Sequence, residues 1–380
     1  MKILFLDQSG QLGGAELCLG DLALYYRDRC TVGVFVPGPF PDYLSTLNIP
    51  VTVLAEQALD VQKQSGFVQS IKAVARLCPL IYRAVKLARK HDCIYANTQK
   101  ALVVGAIASF LSRKPLVYHL HDIVSPEHFS RGNRKIIVAL ANRAVLAIAN
   151  SRASKEAFVA AGGKASLVEV VYNGFNLAQY KILPDTRTRL RAQLGVEDRF
   201  VVGHFSRLSP WKGQHVLIEA IGRCPPAVSV LLVGSALFGE ERYAQRLKEQ
   251  IRSAGLCDRV QFLGFRSDIP ALMSACDMVA HTSTAAEPFG RVIAEGLLCD
   301  RPVVAAAAGG ALEIIEHNET GWLTPMGDAD KLADTICFVY HQPDRARSVA
   351  KRGRMYVEQH FDTRAVNAQI DRLLAERVGL

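Results

Sequence analysis

Two cations and two carboxylates have positions along this sequence that suit the binding of a polar, anionic ligand. Arg207 and Lys212 lie in a short loop after an apolar, strand-like run. Ligands of open α/β sheets bind at the carboxyl ends of strands, so the loop would present two fixed cations to a diphosphate leaving group. Taken alone, the loop could equally be a solvated turn with two ordinary surface charges.

Glu287 and Glu295 add acceptors for hydrogen bonds from sugar hydroxyls. A proline and a glycine follow Glu287 and predict a loop, with a helix starting near Arg291, so Glu295 lies inside the helix. Backbone N–H groups at a helix start attract anions. The segment is a candidate site for a polyol phosphate, although two glutamates at this spacing are, on their own, more often unrelated.

A glycine-rich loop, Ser9–Gly14, separates the first apolar run from a helix opening near Ala15. Glycine lets a backbone approach an anion closely, which makes Gly13 and Gly14 candidates for contact with a phosphate. The loop does not match the G-x-G-x-x-G dinucleotide fingerprint, which argues against a dehydrogenase. A tight turn between strand and helix is the alternative.

Short apolar runs alternate with helical patterns along the whole chain, which predicts an α/β fold with parallel sheets. In the first half we predict strands at Ile3–Asp7, Cys30–Val36, Val51–Leu54, Cys93–Ala96, Leu116–His119, Val145–Ala149 and Val168–Val171. In the second half we predict strands at Phe200–Ser206, Val228–Val233, Val260–Leu263, Met278–His281 and Pro302–Ala305. A lapse in the pattern near residue 181 predicts two domains, 1–180 and 181–362, with an amphipathic helix at 363–380 returning to the first.

The length of 380 residues fits two such domains, and 49% hydrophobic residues supply two cores. The longest apolar stretch, Ala101–Leu111, is too short to cross a bilayer, and the first apolar run is too short for a signal peptide. We therefore expect a cytoplasmic protein. Its nine cysteines contain no C-x-x-C pair and are interpreted as reduced core thiols.

The net charge of +9 lies entirely in the first half: residues 1–183 hold 21 basic and 12 acidic residues, whereas residues 184–380 hold 24 of each. The segment Val61–His91 is basic without an acid and predicts one or two amphipathic helices interrupted at Pro79. Such helices suit either an anionic membrane surface or a solvated face. Few aromatic residues accompany the charges, which argues against nucleic-acid binding. The candidate membrane or acceptor surface comprises Lys72, Arg76, Arg83 and Lys86.

Several motifs occur together in a fixed order in the second half of the chain. They are S-R-L-x-x-x-K-G, V-G-S at Val233–Ser235, F-L-G-F at Phe262–Phe265, E-P-F-G-x-x-x-x-E, G-G-x-x-E-I-I and T-G-W-L. The first half adds L-G-G-A-E, H-D at His121, A-N-S and V-Y-N-G. In these motifs the sequence resembles the retaining glycosyltransferases of family 4. The resemblance implies a GT-B fold, with two Rossmann-like domains facing a central cleft.

The resemblance also implies roles for individual residues. Arg207 and Lys212 would hold the donor diphosphate, Glu295 the ribose hydroxyls, and Glu287 the sugar ring. His121 would contact the transferred sugar, and together with Glu287, Arg207 and Lys212 it makes up the expected catalytic set. The remaining donor-binding residues would be Gly13, Gly14, Gly234, Phe265, Arg266, Phe289, Gly290 and Arg291.

The expected activity is transfer of a hexose from a nucleotide sugar, UDP-glucose before others, to a glycan or lipid-linked acceptor in polysaccharide synthesis. GDP-mannose and UDP-N-acetylhexosamine donors remain alternatives, as does a non-catalytic homologue that binds glycans or nucleotides. No D-x-D motif stands in a suitable place, so we expect no metal and no other cofactor. A peripheral position on the inner face of the cytoplasmic membrane is also expected.

Overall fold

The computed structural model describes residues 1–55, 67–237 and 239–379, with side chains for all of these except residues 67–77. The chain forms two compact units, one made of Met1–Gly174 with Thr363–Leu380 and the other of Phe175–Asp362. The observed boundary follows Gly174 and so lies earlier in the chain than the one expected after residue 180. The reason is that the ring of Phe175 stacks on that of Phe289, inside the second unit.

The first unit contains, among its described residues, a sheet of seven parallel strands. These are β1 (Ile3–Asp7), β2 (Cys30–Val34), β3 (Val51–Val53), β4 (Cys93–Ala96), β5 (Leu116–Leu120), β6 (Leu146–Ala149) and β7 (Val168–Val170). Their order is β3-β2-β1-β4-β5-β6-β7, so the winding reverses between β1 and β4. The carboxyl ends of these two strands form the switch point, the place where open α/β sheets bind ligands.

Six helices connect the strands of the first unit within the described residues. They are α1 (Gly14–Tyr25), α2 (Pro39–Thr46), α3 (Phe67–Ala88), α4 (Gln99–Ser112), α5 (Arg131–Ala141) and α6 (Arg152–Ala160). The interruption expected at Pro79 is wrong, because α3 continues through it. A proline removes one helical hydrogen bond, and Pro79 is exposed, where water can satisfy the carbonyl left without a partner.

The second unit contains, in its described part, a sheet of six parallel strands. These are β8 (Phe200–Phe205), β9 (Val228–Val233), β10 (Val260–Gly264), β11 (Met278–His281), β12 (Val303–Ala306) and β13 (Trp322–Thr324). Their order is β10-β9-β8-β11-β12-β13, which puts the switch point between β8 and β11. Strand β13 was not predicted; it has only three residues, and it forms by pairing with β12 at the sheet edge.

Eight helices accompany this sheet in the described residues. They are α7 (Thr186–Leu194), α8 (Gln214–Ile221), α9 (Glu241–Ser253), α10 (Ile269–Ala275), α11 (Arg291–Leu298), α12 (Ala311–Ile314), α13 (Ala329–His341) and α14 (Pro343–His360). Helices α8 and α13 cover one face and share a core with β8 and β9. Strands covered on both faces are mostly apolar, and the fully buried run Val228–Val233 is apolar except for Ser229.

The last helix, α15 (Thr363–Val378), belongs to the first unit. Its residues Val366, Ile370 and Leu374 are buried in the same cluster as Leu19 of α1. The hydroxyl of Tyr26, a member of the same cluster, donates a hydrogen bond to Asp371 of this helix. The amphipathic pattern therefore has the apolar surface that it requires.

All nine cysteines are free thiols. Five are buried, but Cys78 and Cys257 are exposed, so the interpretation of the whole set as core residues is wrong for these two. In the part of the chain that the structure describes, no helix is long and apolar enough to cross a membrane.

We predict that Leu374→Ala destabilises the first unit by about 2–5 kcal/mol, the usual cost of emptying a fully buried leucine site. The unfolding midpoint in urea measures this change. Glu376→Ala, on the exposed face of the same helix, is the matched control and should change stability by less than about 0.5 kcal/mol. Equal effects of the two substitutions would contradict the packing of α15.

Candidate functional site

The loops that follow β8 and β11 are held together at the switch point of the second unit. The Thr282 hydroxyl lies 3.1 Å from the Lys212 carbonyl and 2.9 Å from the Gly213 carbonyl. The Thr284 amide donates to the Trp211 carbonyl over 2.8 Å. Gly213 has a φ of +70°, and a Cβ there would lie 1.8 Å from the Thr282 carbonyl oxygen. Only glycine allows these two loops to meet so closely.

Lys212 and Glu287, two residues expected at the site, form an ion pair between these loops. The Lys212 Nζ lies 3.0 Å from Oε1 and 2.8 Å from Oε2 of the carboxylate. Their side chains are 15% and 13% exposed. His281 Nε2 and the Ser283 hydroxyl each donate to Oε2 over 3.1 Å. The carboxylate is thus held by three side chains.

These partners keep Glu287 ionised. Burial by itself would raise the pKa of this carboxyl, but the Lys212 ammonium and the hydrogen bond and charge of His281 outweigh burial and hold the pKa well below its ordinary value. An ionised carboxylate only accepts hydrogen bonds. Glu287 can therefore accept a hydrogen bond from a ligand hydroxyl at neutral pH, but it has no proton to give.

An indole ring supports the two cations of the β8 loop. The Lys212 ammonium lies 3.9 Å from the centroid of the Trp211 ring, and the Arg207 guanidinium carbon lies 5.9 Å from it. Cation–π attraction stabilises charges in this arrangement. Both cations expected to bind an anion are therefore brought to one aromatic side chain.

Two glycines support the backbone next to Glu287. Gly310 donates its amide to the Glu287 carbonyl over 2.8 Å, and a Cβ at Gly309 would lie 2.2 Å from the same oxygen. The side chain of Phe289 is only 2% exposed, so it belongs to the core. Its expected contribution to ligand binding is therefore limited to its backbone. Gly290, with a φ of +90°, caps α11 and directs the first amides of that helix towards this loop.

Arg291 and Glu295 lie one turn apart on α11 and form an ion pair of 3.3 Å. The Arg291 guanidinium also stacks over the Phe175 ring, 4.6 Å from its centroid. Both ionic side chains are mostly buried. Glu295, which the resemblance gives to the ribose hydroxyls, is thus oriented by its neighbour on the helix.

Three further expected residues follow β9 and β10. Gly234 has a φ of +137°, and a Cβ there would lie 2.0 Å from the Ser206 carbonyl oxygen, so glycine is required where these loops pack. The Phe265 ring is 70% exposed. Arg266 forms an ion pair of 2.6 Å with Asp268. Phe265 thus offers an open aromatic face for stacking.

In the first unit the glycine-rich loop crosses the switch point beside β1. A Cβ at Gly10 would lie 2.2 Å from the Pro37 carbonyl oxygen, so backbone packing requires this glycine. A Cβ at Gly13 would meet only the Glu16 carboxylate, at 2.6 Å, and Gly14 is the first residue of α1. Backbone packing therefore requires Gly10, whereas at Gly13 a Cβ would meet only the Glu16 side chain.

A buried polar cluster adjoins this loop and includes His121. The Asn97 amide nitrogen lies 2.7 Å from Asp7 Oδ2, and its oxygen lies 2.9 Å from His121 Nε2. Burial raises the pKa of Asp7 to about 6. Burial and the charge of Asp7 raise the pKa of Glu16 to about 7. Perturbed carboxyl groups at a switch point are typical of functional sites.

Sequence reasoning missed the residues that hold the expected ones in place. His281 ends β11, and Ser283 follows that strand by two residues. Asp7 ends β1, and Asn97 directly follows β4. Polar residues at the carboxyl ends of predicted strands were the available signal. The sequence does not show which of these residues contact each other, since Asp7 and Asn97 are 90 residues apart.

Of the four basic residues expected at a membrane or acceptor surface, the side chains of Lys72 and Arg76 lie outside the described part of the structure. Arg83 and Lys86 are exposed on α3. Arg83 also donates to the Leu54 carbonyl over 3.0 Å. Among the described residues, no group of three or more His, Cys, Asp or Glu side chains is arranged to hold a metal ion.

Comparisons with known proteins identify the family. Residues 186–356 match the family model described as "Glycosyl transferases group 1", and residues 12–179 match "Glycosyltransferase Family 4". The chain is 54% identical to Anabaena HepE, whose crystal structure contains UDP-glucose; the match covers 99% of this chain and 100% of that one with a TM-score of 0.93. A second HepE crystal structure, with UDP and glucose, matches equally well.

Curated relatives match over shorter lengths. A GDP-mannose-dependent alpha-(1-6)-phosphatidylinositol monomannoside mannosyltransferase of Mycolicibacterium smegmatis is 29% identical over 60% of this chain and 61% of its own. The putative glycosyltransferase EpsD of Bacillus subtilis is 30% identical over 55% and 54%. The chain thus spans less than two thirds of the length of these relatives. With HepE matched over its whole length, the chain belongs to the family 4 glycosyltransferases of GT-B fold, and the predicted resemblance and fold class are confirmed.

Glu16→Gln should stabilise the protein at pH 8 and leave it nearly unchanged at pH 4. In the unfolded chain Glu16 ionises near 4.5, whereas in the folded chain its pKa is about 7. Its contribution to stability is therefore full below pH 4.5 and is lost as the pH rises through 7. Glutamine keeps the neutral form, so we expect a gain on the order of 1–3 kcal/mol at pH 8.

Thermal unfolding at the two pH values measures this difference. Glu156→Gln, at an exposed site on α6, is the control and should not respond to pH. An equal effect of Glu16→Gln at both pH values would show that the carboxyl is not protonated in the folded state.

Proposed function

We propose that this protein transfers glucose from UDP-glucose to a hydroxyl of a glycan or lipid-linked glycan acceptor in polysaccharide assembly. The observation that carries the proposal is the Lys212–Glu287 pair beside Trp211 and Arg207, at the switch point of the second sheet. The 54% identity to HepE, which was crystallised with UDP-glucose, supports this donor over others.

The pairing of Lys212 with Glu287 fits a single ligand that carries an anion next to a polyol. A diphosphate would lie against Arg207 and the ammonium, and the sugar attached to it would present a hydroxyl to the carboxylate. Glu287 Oε1 contacts only Lys212 among the bonds described, so it retains acceptor capacity. The ion pair thus joins the two halves of a nucleotide-sugar site.

The low pKa of Glu287 decides its role. A carboxylate that stays ionised cannot protonate the leaving group, and its hydrogen bonds to Lys212, His281 and Ser283 leave it little freedom to attack as a nucleophile. We assign it to binding and orienting the sugar. Retention of configuration then proceeds on one face of the sugar, with the leaving group as the base.

In this step the bond between the anomeric carbon and the β-phosphate oxygen breaks, and a bond to the acceptor oxygen forms on the same face. The acceptor proton moves to the departing phosphate oxygen. Arg207 and Lys212 stabilise the charge that develops on the diphosphate. Because these side chains supply positive charge, we propose that transfer proceeds without added metal, and activity in EDTA tests this.

The other expected residues take supporting roles in the proposal. Glu295, oriented by Arg291, accepts hydrogen bonds from the ribose, and the exposed Phe265 ring stacks near the base beside Arg266. Gly234 and the amides of Phe289 and Gly290 line the ligand with backbone groups. For Gly13, Gly14 and His121 of the first unit, contact with the ligand stays a prediction from the sequence.

Two alternatives are distinguished by ligand. Two curated mycobacterial relatives are named as GDP-mannose-dependent, so a guanosine donor is one alternative. UDP-N-acetylhexosamine would use the same base with a larger sugar. A homologue that binds nucleotide without transfer is a third possibility, for which loss of the charged set would be expected; Arg207, Lys212 and Glu295 are all present.

A surface of the first unit supports peripheral binding to an anionic membrane. Helices α3, α4 and α5 pack side by side. Helix α4 exposes Phe110 (82%), Leu111 and Ile107, and α5 exposes Ile136 next to Lys135. Exposed basic residues surround this apolar stripe; they are Arg83, Lys86, Arg89, Lys90, Lys100, Arg113, Arg131 and Lys135.

Apolar side chains that enter the lipid and basic side chains that meet anionic headgroups are the two components of interfacial binding. We propose that this surface, centred on α4, attaches the enzyme to the membrane that carries its acceptor. The first half of the chain holds the entire net charge of +9, which agrees with that assignment. A cytoplasmic location stays a prediction.

UDP and UDP-glucose should raise the melting temperature of the protein, whereas GDP-mannose and ADP-glucose should not, because only ligands of the folded state stabilise it. Arg207→Ala and Lys212→Ala should each lower UDP release from UDP-glucose about 100-fold or more, measured with a lipid-linked oligosaccharide fraction as acceptor. Lys331→Ala, an exposed lysine of the same unit, is the control.

Stabilisation by GDP-mannose and not by UDP-glucose would show that the donor is GDP-mannose. If no nucleotide stabilises the protein, the proposed donor site is wrong. Nucleotide binding without any transfer would indicate that the protein is a non-catalytic homologue. Unchanged turnover in both variants would show that Arg207 and Lys212 do not stabilise the diphosphate.

Phe110→Ser combined with Lys86→Glu should reduce co-sedimentation with vesicles of phosphatidylcholine and phosphatidylglycerol. Each lost charge removes about 1 kcal/mol near an anionic surface. Met355→Ser, an exposed apolar site on α14, is the control and should sediment as the wild type does. Equal sedimentation of both variants would reject the membrane surface, and binding to phosphatidylcholine alone would reject its electrostatic part.

A further inference from the structure

Asn97 occupies a position from which it can control the ring of His121. It directly follows β4 at the switch point of the first sheet, and it is fully buried. Its backbone amide donates to the Leu6 carbonyl over 3.0 Å, which ties it to β1. Its side chain lies between Asp7 and His121. No sequence motif had singled it out.

The hydrogen bonds of Asn97 fix which way its amide points. The nitrogen Nδ2 lies 2.7 Å from Asp7 Oδ2 and 3.2 Å from the Ala15 carbonyl oxygen. A backbone carbonyl has no proton, so only the NH₂ group can face it, whatever the protonation state of Asp7. Both N–H groups are therefore committed, and the amide oxygen must face the other way.

That oxygen lies 2.9 Å from His121 Nε2. An amide oxygen can only accept a hydrogen bond, so the proton between the two atoms must come from the imidazole. The neutral ring of His121 therefore carries its proton on Nε2, and its Nδ1 is an acceptor. The orientation of a backbone carbonyl in α1 thus sets the tautomer of a histidine that follows β5.

A second buried histidine limits how the ring can turn. The rings of His119 and His121 have centroids 3.9 Å apart. His119 Nδ1 lies 2.8 Å from the hydroxyl of Tyr95, which is itself fully buried. Burial first, and then the charge of His121, holds the pKa of His119 well below its ordinary value. His121 thus packs against a neutral ring that is itself held in place.

We propose that Asn97 is a positioning residue that holds the proton of His121 on Nε2 and leaves Nδ1 unprotonated. The assignment of the His121 tautomer depends only on distances within the first unit. Its meaning for transfer rests on the proposed function.

The wild-type protein tests the tautomer directly. In a ¹⁵N-labelled sample at pH 8, we expect His121 Nδ1 to have the chemical shift of an unprotonated nitrogen and Nε2 that of a protonated one. His121→Gln assigns the signals. A protonated Nδ1 with an unprotonated Nε2 would overturn the proposal, whether or not the protein transfers sugar.

Two variants then test the positioning role. Asn97→Asp should favour the imidazolium form, because a carboxylate next to the ring stabilises its charge, so both nitrogens should appear protonated at pH values where the wild type is neutral. Asn97→Ala should lower kcat about 10–100-fold, the usual effect of removing a group that orients a functional histidine, with a smaller change in KM for UDP-glucose.

Asn150 provides the matched control. It is also a buried asparagine directly after a strand of the same sheet, but its side chain contacts Ser154 rather than a histidine. Asn150→Ala should cost comparable stability and leave the nitrogen shifts of His121 unchanged. If Asn97→Ala binds UDP-glucose and keeps the wild-type kcat, the positioning role is wrong. If the wild type shows no transfer at all, the proposed function fails while the tautomer is still decided by the shifts.

Discussion

Each sheet of this protein reverses its winding at one place, and that reversal determines where its polar groups can meet. Elsewhere along a doubly wound sheet, the connections after neighbouring strands leave towards the same face. At β1 and β4, and again at β8 and β11, they leave towards opposite faces and open a space. The Asp7–Asn97 contact occupies the first of these places and the Lys212–Glu287 pair occupies the second. Both depend on strand order more than on any local sequence.

The two places treat charge in opposite ways. In the second unit the carboxylate of Glu287 has a cation beside it, and its pKa is lowered. In the first unit Asp7 and Glu16 are buried close to each other without a comparable cation among their described contacts, and their pKa values are raised into the neutral range. The carboxylate of Glu287 therefore stays ionised at physiological pH, whereas Asp7 and Glu16 change their protonation state near that pH.

The sequence predicted regular elements well where one interaction dominates. Strand β9 has the predicted bounds because its run, apolar except for Ser229, is buried along its whole length. The prediction failed where a contact distant in sequence decides, as for β13, which exists through its pairing with β12. It also failed at Pro79, where exposure makes a missing hydrogen bond tolerable.

The same distinction holds at the site. The motifs predicted Lys212 and Glu287 as site residues, but the two lie 75 residues apart, and nothing in the local sequence shows that they form an ion pair. Asn97 carried no signal other than its place after an apolar run. Residue types can thus be predicted from motifs, whereas protonation states and hydrogen-bond directions follow only from the folded arrangement.

The return of α15 to the first unit has a consequence for the order in which the chain folds during synthesis. Its buried residues Val366, Ile370 and Leu374 complete the core around α1, yet they are translated after the whole of the second unit. The second unit is continuous in sequence and has all its strands as soon as residue 362 has emerged. The unit begun first is therefore finished last, and the part of α1 that packs against α15 stays uncovered until α15 has been synthesised.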